Sequence, residues 1–363
     1  MAIYKDTGLL AVAITATFYL SFFSGFVTSS IPGYFFAIIS VLFSKNSFKY
    51  TLRQYFVMFA AFVYFALLVT ISDSLIVALQ DIRYWFGIII FIIFFKQISR
   101  FDFFTTRLFR IVCYLVILEY FVLIFFGVGQ NDFKSYSVEL SQYRPLGITS
   151  NASMSSALLS ILFLLLEIKN NKRMIWLDTL LLTITILVFQ SGVGIIIFLF
   201  VILYRMNFNS SLFKLNFNNM AIISTILIGL IVMLQIDQSQ YQKFSLVYYY
   251  QVFGNKAAQL FNAVEFNNLF SLIGTVINDN VPVTSGDIGW LLLLQTMGIV
   301  GFILYFFIVM VFYNSHNKYK PILILLLIAT SHYPVLMTQT GQLIGAYILV
   351  FVPNYPKRNT LNS

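Results

Sequence analysis

Only 10% of the 363 residues are charged, one is a cysteine, two are histidines and seven are prolines. Each scarcity closes off a class of protein. With 60% hydrophobic residues there is too little polar side chain to cover a water-exposed surface, which excludes an ordinary soluble chain. Cys113 stands alone inside an apolar stretch, so the chain holds no disulfide framework and no thiol pair for metal or redox work; it reads as a small packed residue. Acidic residues number 13 against 22 basic ones, for a net charge of +9. That excess does not point to nucleic acid, because the basic residues are dispersed beside the ends of apolar stretches, where they anchor topology and touch anionic lipid. Internal repeats, low-complexity tracts and polar linkers are also missing, so residues 1–363 are expected to form a single integral membrane domain.

What the chain has instead is long apolar runs, with 41 Phe and 22 Tyr. Twelve stretches fall near 8–26, 30–44, 55–71, 82–95, 110–127, 152–166, 174–190, 192–204, 219–236, 288–312, 321–337 and 340–353. Most are long enough to cross roughly 30 Å of hydrocarbon as helices. The first lacks a small-residue cleavage site and is followed by eleven more, so it reads as a retained helix rather than a removed signal peptide. The basic residues switch sides with each stretch. If the N-terminus is inside, the inner segments hold Lys5, Lys45, Lys49, Arg53, Lys96, Arg100, Arg107, Arg110, Lys169, Lys172, Arg173, Arg205, Lys214, Lys318, Lys320, Lys357 and Arg358, which is 17 of the 22. Both termini are therefore expected in the cytoplasm. Two outer segments are long, about 127–151 and about 237–287, and the second has room for amphipathic helices around 255–272.

Five basic residues break the pattern: Arg83, Lys134, Arg144, Lys243 and Lys256. Arg144 lies in Tyr143-Arg144-Pro145-Leu146-Gly147-Ile148-Thr149-Ser150-Asn151. Pro145 and Gly147 force a turn, and Ser150 or Asn151 can cap a helix beginning at Ala152, which places the guanidinium near a positive helix N-terminus. An Arg fork there suits phosphate oxygens; its bland alternative is contact with lipid headgroups. Arg83 follows Asp81 by two residues and precedes Tyr84-Trp85, so it is either a second anion contact or an ion-pair partner marking the interface. Lys243 and Lys256 stand among Tyr241, Tyr248, Tyr249, Tyr250 and Phe253, a set that suits sugar stacking or an interfacial aromatic belt. His332, near the outer face, is either a proton-transfer aid or a structural histidine. Glu119 and Asp178 lie within apolar stretches, where a charge costs about 2.5–3.5 kcal/mol, so each is expected to face the bundle interior or lie neutral; in a transporter the two would mark a proton path. The outer segments contain no Asp-x-Asp and no His/carboxylate cluster, so no metal is expected.

The remaining motif is Asp287-Ile288, then nine residues from Gly289 to Met297, then Gly298-Ile299-Val300-Gly301. Here the chain resembles the O-antigen polymerase and O-antigen ligase superfamily, whose ligases carry His, a polar residue, nine further residues and Gly-x-x-Gly after the large periplasmic loop. Spacing and both glycines match, while Asp287 stands in place of the His and Ile288 in place of the polar residue. The Arg-x-x-Gly segment at Arg144–Gly147, the twelve-stretch layout and the long loop before Asp287 extend the likeness over most of the chain. The resemblance implies an all-α polytopic membrane protein of about twelve transmembrane helices, a GT-C-type glycosyltransferase with residues 237–287 as a periplasmic loop between helices nine and ten. It implies a bacterial inner membrane location and an active site facing the periplasm. Substrates would be undecaprenyl-diphosphate-linked oligosaccharide repeat units, with Asp287 catalytic, Arg144 and Arg83 on the diphosphate, and Lys243, Lys256, Tyr249 and His332 near sugar or loop. No cofactor is implied, and the partners would be the bilayer, a chain-length regulator and a flippase. Polymerase fits better than ligase, because the ligase His is replaced; a transporter for lipid-linked sugars is the non-enzyme alternative.

Overall fold

A computed structural model describes residues 8–25, 31–44, 50–72, 74–98, 103–126, 144–170, 174–207, 254, 258, 272–273, 289–313 and 319–350. Among them all regular structure is helical: α1 (Gly8–Phe22), α2 (Ile31–Leu42), α3 (Leu52–Ile71), α4 (Leu75–Phe86), α5 (Ile88–Gln97), α6 (Thr106–Phe126), α7 (Ala152–Asn170), α8 (Trp176–Phe189), α9 (Gly192–Asn207), α10 (Gly289–Phe312), α11 (Lys320–His332) and α12 (Gln339–Val350). Eleven of the twelve apolar stretches coincide with these helices; the twelfth, 219–236, lies outside the described residues, as does nearly all of the long 237–287 loop.

Local signals explain the helix starts. Thr51 and Gln54 form a reciprocal capping box at α3, with Gln54 N–H on Thr51 Oγ1 at 3.3 Å and Thr51 N–H on Gln54 Oε1 at 3.2 Å. Asn151 Oδ1 accepts the N–H of Ser153 at 2.9 Å and of Met154 at 3.2 Å, and so caps α7 as its sequence suggests. Pro321 sits in the first turn of α11, where its missing N–H costs nothing.

Among the described residues three helices are long and apolar enough to cross a bilayer: α3, α6 and α7. The pair Ala78–Phe86 and Ile88–Gln97 passes the same test together, as a broken span or a re-entrant loop bent by 50° at Gly87. Six further apolar helices are shorter, at 10–17 residues. This is the build of an α-helical membrane protein. Its radial order is clear from burial: 83% of the apolar window of α7 is covered by protein, against 22% for α3 and 28% for α6. α7 is the hub because serines at 153, 155, 156 and 160 let neighbours approach closely; a Cβ on Gly194 of α9 would come within 2.2 Å of Ser156 Oγ. The outer faces of α3 and α6 expose Phe56, Phe59, Phe62, Leu118, Phe121 and Phe125 at helical spacing, an apolar surface that is costly to leave in water.

The helix ends sort into two sets. At one end Gly25 N–H bonds Ile148 O at 2.7 Å, and Trp290 Nε1 bonds Ser331 Oγ at 3.1 Å. At the other, Lys96 Nζ donates to Gln54 Oε1 at 2.5 Å, Gln54 Nε2 to Val311 O at 3.4 Å, and Lys169 Nζ to Phe104 O at 2.6 Å. Segments that the Lys/Arg alternation assigns to a common side thus meet one another.

Candidate functional site

Arg144 lies in the connection that leads into α7. Its Nε donates to Phe189 O at 2.6 Å, at the C-terminal end of α8, and its Nη2 donates to Ser153 Oγ at 2.8 Å, in the first turn of α7. The side chain is half-buried, and burial pushes its pKa down while the nearby Tyr333 pulls the other way. A guanidinium stays charged under such pressure, so the site holds a fixed cation beside the N-terminus of α7.

The backbone around Arg144 is over-determined. Gly147 adopts φ +68°, and a Cβ there would meet the Phe189 ring at 2.8 Å, so both conformation and packing call for glycine. Ser155 Oγ donates to Leu146 O at 2.7 Å and accepts Thr149 N–H at 3.0 Å. The unforeseen member is Glu119. From α6 its Oε1 accepts the N–H of Leu146 at 2.8 Å and its Oε2 that of Gly147 at 3.2 Å. Glu119 therefore clamps the Arg144 loop. Its position in an apolar stretch gave no hint of the loop it meets, because the contacts lie 27 and 28 positions further along the chain.

The first turn of α12 joins this loop to Arg83. The Thr340 hydroxyl reaches Phe22 O at 2.9 Å and Ile148 O at 3.2 Å. Gln342 Nε2 donates to Tyr84 O at 2.6 Å and Arg83 O at 3.1 Å, and its Oε1 accepts the Tyr34 hydroxyl at 2.6 Å. Both carbonyls lie in the last turn of α4, where Arg83 O also accepts the Gly87 N–H at 3.0 Å. Three hydrogen-bonding side chains within Gln339–Gln342 at the head of an apolar stretch were the legible signal for this hub.

Arg83 does not pair with Asp81. Residues two apart on a helix point to different faces, and the guanidinium stacks on the Tyr84 ring at 4.7 Å, with its buried Nε lacking a hydrogen-bond partner among the described residues. Among the described residues an ion pair forms instead between Arg110 and Asp178, with Arg110 Nε on Oδ1 at 2.5 Å and Nη2 on Oδ2 at 3.1 Å. Asp178 is buried as expected, and Arg110 offsets its charge.

The glycine pair of the Asp287 motif has a structural account. Gly298 takes φ 62° and ψ −175°, a combination that breaks α10, and Gly301 leaves room for the Tyr64 phenol, whose hydroxyl bonds the freed Met297 carbonyl and lies 2.9 Å from Ile273 O. Asp287, Lys243, Lys256 and Tyr249 lie outside the described residues, and His332 is placed as the last residue of α11. Among the described residues no group of three His, Cys, Asp or Glu comes together as a metal site would need. Compared with known proteins, the chain matches no family model, no curated sequence and no solved structure.

Proposed function

We propose that the protein is a membrane glycosyltransferase that polymerises polyprenyl-diphosphate-linked oligosaccharide repeat units on the outer face of a bacterial cytoplasmic membrane. In this reading the helices form a GT-C-type bundle of about twelve spans, with both termini in the cytoplasm. The observation that carries it is Arg144: a cation fixed by Phe189 O and Ser153 Oγ, at the end of the bundle where α12 also ties down the segment bearing Arg83. Two arginines at one end of a lipid-facing bundle suit a diphosphate carried by a membrane lipid, which reaches the site laterally.

In the reaction, the carboxylate of Asp287 takes a proton from a hydroxyl of one repeat unit. The oxygen attacks the anomeric carbon of the growing chain's reducing-end sugar, and the bond to the diphosphate oxygen breaks. Polyprenyl diphosphate leaves carrying the electron pair, and Arg144 with Arg83 stabilises the charge that builds on it. Lys243, Lys256, Tyr249 and His332 are assigned to the sugar side of the site, and a chain-length regulator and a flippase are the natural partners. An O-antigen ligase would use the same arrangement with a lipid A core acceptor, so supplying each acceptor to the purified protein separates the two.

A transporter of lipid-linked sugars has one observation in its favour: two helices broken at Gly87 and Gly298, the kind of interruption from which transport sites are built. The deciding experiment is Arg144→Lys and Arg144→Ala in purified protein supplied with lipid-linked repeat units. Polymer should fall by at least about a hundredfold in Arg144→Ala and stay poor in Arg144→Lys, since a point charge cannot reproduce a bidentate grip. Substrate translocation without any polymer from the wild type would assign the protein to transport.

A further inference from the structure

At the end of the bundle opposite Arg144, α3 and α10 part to leave an apolar groove of about 470 Å³. Arg53, Phe56, Val57 and Ala60 of α3 form one side, and Leu304 and Phe307 of α10 the other. Val57 and Leu304 are buried and make the floor, while Phe56 and Phe307 expose more than half of their surface and make the rims. From Arg53 to Ala60 the helix rises about 10 Å, less than half of the roughly 30 Å hydrocarbon core, so the groove fits within one leaflet. Its volume falls in the range of small-molecule sites. Because the groove opens on the face that α3 turns outward, what enters it comes from the bilayer.

The head of the groove is positively charged. Arg53 lies in the first turn of α3, which carries no acidic residue, and makes no ion pair or hydrogen bond among the described residues. Beside it Gln54 receives Lys96 Nζ at 2.5 Å and reaches Val311 O at 3.4 Å, which brings a second cation to the same end and ties α3 to α10 there. Lys96 is held over the Tyr50 ring at 4.2 Å.

We infer that this groove binds one acyl chain of an anionic glycerophospholipid, with the lipid phosphate on Arg53. Arg53 supplies the phosphate contact, while Lys96 is engaged by Gln54 Oε1 and the Tyr50 ring. The apolar floor takes the first part of one chain. The inference rests on the helices lying in a bilayer and is independent of the glycosyltransferase reading.

The test is native mass spectrometry of the delipidated full chain with phosphatidylglycerol or phosphatidylcholine bearing identical acyl chains. Wild type should take the first phosphatidylglycerol about fivefold more tightly than phosphatidylcholine, the effect of one cation near an anionic headgroup. Arg53→Gln should make the two lipids equal, and Arg53→Lys should keep most of the preference. Ala60→Trp, which fills the groove, should weaken both. Arg53 is exposed, so its substitutions read the headgroup contact even if the larger side chain perturbs folding. A preference that survives Arg53→Gln would place the headgroup elsewhere, and equal binding of both lipids by wild type would deny a charge-selective site. Lipid-free dimers that disappear in the Arg53 and Ala60 variants would give the groove to a second copy of the chain; any of these outcomes overturns the inference.

Discussion

Glu119 shows how one side chain can be placed by the sequence in one role and by its neighbours in another. Both of its oxygens accept backbone N–H groups of the loop that carries Arg144. In Glu119→Gln one acceptor becomes an NH2 that faces an N–H, leaving a donor unmet at a cost of about 1–3 kcal/mol. The expected outcome is a lower melting temperature in purified protein and reduced polymer at normal membrane levels. Unchanged melting and activity would show that the loop holds itself. For Asp287 the expectation is separate. Asp287→Asn keeps size and the capacity to cap a helix but cannot take a proton, so polymer should be lost at normal protein levels in cells lacking the native copy. Wild-type polymer from that variant would reduce Asp287 to a helix cap.

At the scale of the element, α10 is the helix whose sequence says most about its shape. Gly298 occupies a backbone region open in practice only to glycine, and the break exposes the Met297 carbonyl to Tyr64 across the bundle. Gly298→Ala should therefore cost about 1–3 kcal/mol and straighten α10, breaking the Tyr64 contact. Tyr64→Phe removes the same hydrogen bond from the other side, so the double variant should be less unstable than the sum of the two, measured by denaturation of the purified protein. Additive losses would mean that the break and the tyrosine act independently. The spacing of Gly298 and Gly301 was visible in the sequence. That the first breaks the helix and the second admits a phenol was not, because Tyr64 lies more than two hundred residues away.

Over the whole molecule, the sidedness of the Lys and Arg residues leads to a topology that labelling can check. With Cys113 replaced by alanine, a cysteine at Ser239 should react with an impermeant reagent from the outer side, and one at Ser47 only after the inner side is opened. Labelling of position 239 from the inner side alone would invert the bundle and move Arg144 to the cytoplasm. Eleven of the twelve apolar stretches are helical among the described residues, since a long apolar run in lipid must satisfy its backbone within itself and has no regular alternative but a helix. Helix ends at Thr51 and Asn151 were equally local, set by side chains within three residues of the backbone they cap. Arg144 stood out because it is an exception to the Lys/Arg alternation along the sequence. Its holders did not, and neither did the carbonyls that Thr340 and Gln342 of α12 reach or the Arg110–Asp178 pair, all of which join residues far apart in the chain. Helix formation depends on hydropathy and local hydrogen bonding, which a single sequence displays; which side chains meet depends on how the helices pack, and only the folded bundle decides that.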